Sequence, residues 1–186
     1  MPKITVGIDE VGRGCLAGPV VACAVILPDD FINPEIADSK KLTEKKRKSL
    51  YELITINAVD YGIGIVCNKI IDEHNILKAT KQAMHLALSK LTKRYDHIII
   101  DAVKLNNLRV SSEHPFKAED KFAEVAAASI IAKVYRDELM KNLHYLFPEY
   151  NWYKNKGYGT KEHIESIKRC GLTFLHRKTF LKKYEI

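Results

Sequence analysis

Short, dense apolar runs alternate along this chain with longer stretches in which apolar residues recur every three or four positions. That alternation predicts strands interleaved with helices. Lys3 to Ile8 reads as a short strand, and Gly18 to Leu27 as a second, more continuously apolar one, closed by Pro28-Asp29-Asp30. Thr43 to Thr55 reads as a helix, with Thr43 placed to cap it and Leu50, Leu53 and Ile54 at helical spacing. Ala58 to Cys67 reads as a strand, and Ile70 to Leu91 as the longest helical stretch, with Ile71, Leu77, Met84, Ala87, Leu88 and Leu91 near one face. His97 to Ile100 is a buried strand ending on Asp101. Ala118 to Leu146 is helical again, and its Ala123 to Ala132 segment is too apolar to face water. Beyond Pro148 helices are expected near Lys161 to Arg169 and Lys178 to Tyr184. Strands separated by helices imply an α/β layer fold, in which the first two strands could pair as an antiparallel hairpin. Without repeats, low-complexity segments or a linker, one domain over 1–186 is expected, with 148–186 a basic helical extension of the same unit.

Composition agrees with this picture. A chain of 186 residues, 46% of them apolar, is long enough to bury a core. The cysteines Cys15, Cys23, Cys67 and Cys170 form no C-x-x-C pair and have no histidine at zinc-finger spacing. Reduced thiols are therefore expected, rather than a disulfide framework or a structural metal site. No signal peptide and no apolar run of membrane-spanning length is visible, so a cytoplasmic protein without a membrane association is expected. The formal net charge of +7 is unevenly spread. Lys40 to Lys48 holds six basic residues against one Glu, and Asn151 to Ile186 holds nine against three, whereas residues 1 to 37 carry five acids against two bases. Basic flanks around an acidic centre suit a polyanion held over a metal-binding site, although Lys-rich helix faces also serve solubility.

The acidic centre has a definite sequence. Val6-Gly7-Ile8-Asp9-Glu10-Val11-Gly12-Arg13-Gly14 sets two adjacent carboxylates at the end of an apolar run and follows them with a Gly-Arg-Gly loop. Carboxylates are the hard oxygen ligands that Mg²⁺ or Mn²⁺ prefers, Arg13 offers a planar fork of donors, and the glycines let main-chain N–H groups approach a ligand. Each part alone is more often a solvated helix start, loop or turn. Asp101 ends its strand as Asp9 ends the first, so if the two strands lie parallel and adjacent both carboxylates reach one sheet edge. Asp137 sits on the apolar helix that could carry it there. A turn or cap for Asp101, and a surface Arg-Asp pair for Asp137, are the alternatives.

Taken together, these segments closely resemble the bacterial type of ribonuclease HII. The matching stretches are GIDEVGRGCLAGP (7–19), DSKKLT (38–43), IDEHNILKATKQAM (71–84), Ile100 to Ala102, AAASIIAKVYRD (126–137), KGYGTKEH (156–163) and HRKTF (176–180), in the family's order over nearly the whole chain. The resemblance implies a ribonuclease H-like mixed sheet flanked by helices, with a small helical C-terminal region. It implies Asp9, Glu10, Asp101 and Asp137 as catalytic metal-binding carboxylates. Gly12, Arg13 and Gly14 would contact the backbone around the scissile phosphate and help sense 2′-hydroxyls. Tyr158 would stack on the deoxynucleotide sugar beyond a ribonucleotide. Ser39, Lys40 and Lys41 would hold phosphates, with Thr160, Lys161 and His163 as further candidates.

The implied reaction is hydrolysis of the RNA strand of RNA/DNA hybrids and cleavage 5′ of single ribonucleotides in duplex DNA, leaving 5′-phosphate and 3′-hydroxyl ends. Two Mg²⁺ or Mn²⁺ ions about 4 Å apart can activate the water, neutralise the transition state and assist the leaving oxygen. The partners expected are RNA/DNA hybrids and ribonucleotide-containing DNA duplexes, acted on by a monomer. Two departures from the family stand out. Residues 104 to 125 contain Lys117-Ala118-Glu119-Asp120 where many members have a shorter Lys-Gly-Asp turn, and Thr179 replaces a frequent Ser. A hybrid-binding protein without catalysis, or another ribonuclease H-like nuclease, are the competing functions. His74, His85, His144 and His176 are expected to be structural or surface histidines.

Overall fold

The computed structural model describes residues 3–36 and 42–185. Strands β1 (Thr5–Val11) and β2 (Val20–Ile26) pair antiparallel, with Asp9 opposite Cys23. Helix α1 (Glu44–Asn57) starts at Thr43, whose side-chain oxygen accepts from the N–H of Lys46. Strand β3 (Asp60–Val66) then pairs antiparallel with β2. Helices α2 (Asn68–His74) and α3 (Ile76–Ser89) lead to β4 (His97–Ile100), parallel to β1, and β5 (Ser111–Glu113), parallel to β4. The sheet order is β3-β2-β1-β4-β5. Helices α4 (Ala123–His144), α5 (Trp152–Asn155), α6 (Lys161–Cys170) and α7 (Lys178–Leu181) follow.

Strand β2 is buried along its whole length because both sheet faces are covered. Val20, Ala22, Ala24 and Ile26 pack with Ala79, Ala83, Met84 and Ala87 of α3, whereas Val21, Cys23 and Val25 pack with α1 and α4. A strand covered on both faces loses its polar alternation, which is why it reads as one continuous apolar run. Helix α4 lies close over β1: a Cβ on Gly7 would stand 2.1 Å from the main chain of Glu124. A smaller core forms where Tyr150, Trp152, Ile167 and Leu181 pack on Met140 and on Leu16 and Ala17 of the loop after β1. The basic C-terminal region is thereby set against that loop.

The structure revises the sequence reading in four places. Strand β1 runs through Asp9 and Glu10 to Val11, because β2 continues to pair with it. The helix expected over Ile70 to Leu91 breaks at Asn75, which adopts φ 72 and whose side chain accepts from the N–H of Lys78. Asn enters the left-handed region more readily than most residues and caps helices, so a local device overrides the apolar period. The helix expected from Ala118 begins at Ala123, preceded by a 3-10 turn at Ala118–Asp120. Strand β5 is short and polar and carries no apolar signal.

Candidate active site

The parallel register of β1 and β4 sets Ile8 opposite Ile100, so Asp9, still within β1, and Asp101, just past the end of β4, lie side by side at one end of the sheet. The N–H of Asp101 donates to the carbonyl of Ile8 at 3.3 Å. Asp9 is 7% exposed, accepts from the N–H of Glu10 at 2.7 Å and is hydrogen-bonded by the Ser129 hydroxyl of α4. Successive strand residues point to opposite faces, so Glu10 turns away from α4 and pairs with Arg13 at 3.2 Å. Asp101 accepts from the N–H of Ala118 at 2.8 Å. Burial, then the charge of Glu10 and more weakly that of Asp101, push the Asp9 carboxyl from 3.8 up to about 8. Burial also raises Glu10; Arg13 opposes the rise and Asp101 adds to it.

Three acids that destabilise one another's charge are suited to a divalent cation. One oxygen of Glu10, Oε2, is buried without a hydrogen-bond partner, a polar atom that a bound cation would satisfy. Among the described residues no three acid, histidine or cysteine side chains close into a cage. Magnesium keeps several waters and usually takes one or two carboxylates plus substrate oxygens, so an open edge of this kind fits it better than a closed cage would.

The loop after β1 is held from behind. Gly12 has φ +93, and a Cβ there would meet Nε of Arg136 at 2.3 Å. Gly14 has nothing within 4 Å of its would-be Cβ, and Arg13 is exposed. Two fully buried arginines that the sequence reading did not single out direct their donors to main-chain carbonyls of this region. Arg136 reaches Pro19 at 3.0 Å, Ala17 at 3.1 Å and Lys156 at 2.8 Å. Arg177 reaches Gly18 and Arg13, both at 3.0 Å. Both positions lie in the matched segments AKVYRD and HRKTF, but charge alone does not reveal that an arginine will be buried.

Tyr158 lies beside this loop, 37% exposed, with Lys133 Nζ 5.6 Å and Arg136 Cζ 5.8 Å from its ring centroid. Asp137 lies further along α4 than Ser129. It is bonded to Lys133 at 2.7 Å, and the groups that feel its charge are Tyr158 and Lys156. Ser129, which reaches Asp9, lies two helical turns earlier, roughly 12 Å at 1.5 Å per residue. Glu119, 5% exposed, directly follows Ala118, whose N–H binds Asp101. It falls in the segment that departs from the family's Lys-Gly-Asp turn, and burial is the signal that sequence lacks.

Of the other phosphate candidates, Thr160 and Lys161 are exposed at the start of α6, where the Thr160 hydroxyl accepts from the N–H of His163 at 3.2 Å. His163 is fully buried and cannot touch a phosphate, which corrects that expectation: α6 turns it inward onto Trp152. Ser39, Lys40 and Lys41 lie outside the described residues. Thr179 donates its hydroxyl to Asp72 at 2.5 Å, a bond that joins α7 to α2. No helix among the described residues is long and apolar enough to cross a membrane.

A family model described as Ribonuclease HII matches residues 6–183. A ribonuclease HII of Christiangramia forsetii is 52% identical over 180 residues, 96% of this chain and 91% of that protein. One from Caldanaerobacter subterraneus subsp. tengcongensis is 49% identical over 177 residues, 95% of this chain and 73% of that protein. Among solved structures, the ribonuclease H2 of Pyrococcus horikoshii OT3 superposes with a TM-score of 0.81 at 27% identity, covering 97% of this chain and 96% of that one.

Proposed function

The chain belongs to the ribonuclease HII family and is an endoribonuclease H, and we propose that it cleaves both the RNA strand of RNA/DNA hybrids and the 5′ side of single ribonucleotides embedded in duplex DNA. The observation that carries this reading is the pair Asp9 and Asp101 on adjacent parallel strands, with Glu10 next to them and the exposed Gly-Arg-Gly loop alongside. Asp9, Glu10 and Asp101 would hold the divalent cations, Mg²⁺ or Mn²⁺, with Asp137 and Glu119 as the candidates for a fourth carboxylate. Bound there, a pair of such ions supplies an activated water and neutralises phosphate charge.

The rest belongs to the protein. The main-chain N–H groups of the loop 12–14 can reach a sugar 2′-hydroxyl or a phosphate because Gly14 leaves the space open. Arg13, the only cation on that loop, offsets the charge of Glu10 and can shift to a phosphate when cations take over that carboxylate. Tyr158, with its ring half-exposed beside the loop, would stack on the neighbouring deoxyribose, where an added 2′-hydroxyl would crowd it. Lys40, Lys41, Ser39, Thr160 and Lys161 would grip the flanking backbone.

The test is an incubation of the purified protein with a duplex carrying one embedded ribonucleotide, with EDTA, Mg²⁺ or Mn²⁺. Metal-dependent cleavage leaving 3′-hydroxyl and 5′-phosphate ends supports the proposal. Cleavage of long hybrids alone would remove the single-ribonucleotide activity.

A further inference from the structure

His163 and His176 are both buried, so neither can touch nucleic acid, and the chemistry above uses neither. Their hydrogen bonds nevertheless fix where each proton sits. The N–H of Thr173 donates to Nδ1 of His176 at 3.0 Å, so that nitrogen carries no hydrogen and the proton is on Nε2. Nε2 of His176 lies 3.3 Å from Nε2 of His163, and Trp152, whose indole nitrogen can only donate, reaches the same His163 atom at 3.0 Å. Nε2 of His163 therefore accepts, and its proton is on Nδ1. That Nδ1–H points at the carbonyl oxygen of Tyr158, 2.9 Å away.

Burial lowers His163, and burial with the neighbouring His163 takes His176 down to about 4, so both rings favour the neutral form. The other parts of Tyr158 are held too. Its N–H donates to Asn155 at 2.9 Å, and its hydroxyl is hydrogen-bonded to Cys15, which directly follows the Gly-Arg-Gly loop. Gly157 is locked by φ +81, and a Cβ there would lie 2.6 Å from the carbonyl of Ala17.

We propose that His163 is a positioning residue for substrate discrimination: its Nδ1–H, directed by His176 and Trp152, fixes the Tyr158 main chain while Cys15 fixes the hydroxyl end, so that the ring presents one pose to the sugar beyond a ribonucleotide. The proposal rests on the reading of Tyr158 as the residue that meets that sugar. A purely structural role for the histidine pair predicts lost stability and nothing else.

The experiment compares kcat/KM on two substrates, one duplex with a single ribonucleotide and one long RNA/DNA hybrid, at a temperature well below the melting point of every variant. Gln presents its amide near the His Nε2 position and loses the donor to Tyr158, whereas Asn keeps a donor near the Nδ1 position. His163→Gln is expected to lower the ratio of single-ribonucleotide to long-hybrid cleavage by roughly tenfold, within the hundredfold that a misplacement of about 1 Å can cost. His163→Asn should retain the ratio despite a lowered melting temperature. Cys15→Ala, a small change that keeps the fold, should lower the ratio in the same direction, and Cys15→Ser should restore it. In a Tyr158→Ala background none of these changes should have a further effect.

If Tyr158→Ala lowers the ratio but neither His163→Gln nor Cys15→Ala does, the positioning role is overturned and the Tyr158 reading stands. If Tyr158→Ala leaves the ratio unchanged, both fall. Should His163→Gln fail to fold, Cys15→Ala with its Ser counterpart decides the matter.

Discussion

Asp9→Asn should nearly abolish cleavage and, in the absence of metal, make the protein more stable. The carboxyl of Asp9 is 7% exposed and is held up at about 8 by burial and by the charges of Glu10 and Asp101. In the unfolded chain it returns to 3.8. The folded state therefore binds a proton that the unfolded state releases between pH 4 and pH 8, so wild-type stability falls as pH rises through that window and levels off above it. At 1.36 kcal/mol per pH unit the full interval from 3.8 to about 8 is worth at most about 5–6 kcal/mol.

Water entering the open edge reduces that, and we expect about 2–3 kcal/mol, which at about 2–4 °C per kcal/mol for a chain of this size is a rise of about 5–10 °C in melting temperature. Thermal melts in EDTA at pH 4.5 and pH 8 measure it: the variant should match wild type at the lower pH and exceed it at the higher. Added Mg²⁺ should stabilise wild type, by about 2.7 kcal/mol at a hundredfold excess over Kd, and the variant much less. Cleavage should drop by roughly 10²–10⁴, the equivalent of several kcal/mol of lost charge stabilisation. An Asn variant no more stable than wild type in EDTA at pH 8, or a stability difference that does not change with pH, would refute the argument that Asp9 is a strained acid awaiting a cation.

Asp137→Asn and Glu119→Gln should both impair cleavage, and the first should be partly rescued by Mn²⁺; steady-state rates on a long hybrid measure both. Gly12→Ala should cost about 1–3 kcal/mol because it strains a left-handed residue against Arg136. Gly14→Ala should leave the melting temperature within the equivalent of about 0.5 kcal/mol and yet slow cleavage, and a fully active Gly14→Ala would remove the loop's main chain from the substrate contact. Affinity for hybrids should fall steeply with salt, each neutralised phosphate contributing about −0.9 to the slope of log K against log salt for B-form DNA. Lys40→Ala should flatten that slope in a filter-binding or anisotropy titration.

Much of the architecture was legible in the chain itself, because strand and helix periods are local properties. β2 announced itself as a run of apolar residues, α4 as an apolar helix too greasy for a surface, and Thr43 as a cap. Asp9 and Asp101 could each be seen to follow an apolar strand, and family resemblance attached them to phosphodiester chemistry. What sequence could not decide was direction and neighbourhood. That Asp9 and Asp101 share one edge depends on β1 and β4 being parallel with Ile8 against Ile100, a long-range pairing that no local pattern encodes.

The same limit explains the misses. Asn75 interrupts a helix whose apolar period continues through it, and β5 is strand only because β4 offers it an unpaired edge. Asp137 and Glu119 are both acids near apolar sequence; the structure pairs the first with Lys133 on α4, and a hydrogen bond from Ala118 seats the turn holding the second beside Asp101. His163 belongs to a segment rich in candidate phosphate ligands, and only its packing against Trp152 shows that it faces inward. Residue type and spacing determined which chemistry was available; burial and strand pairing, which depend on the whole chain at once, decided which residues could share it.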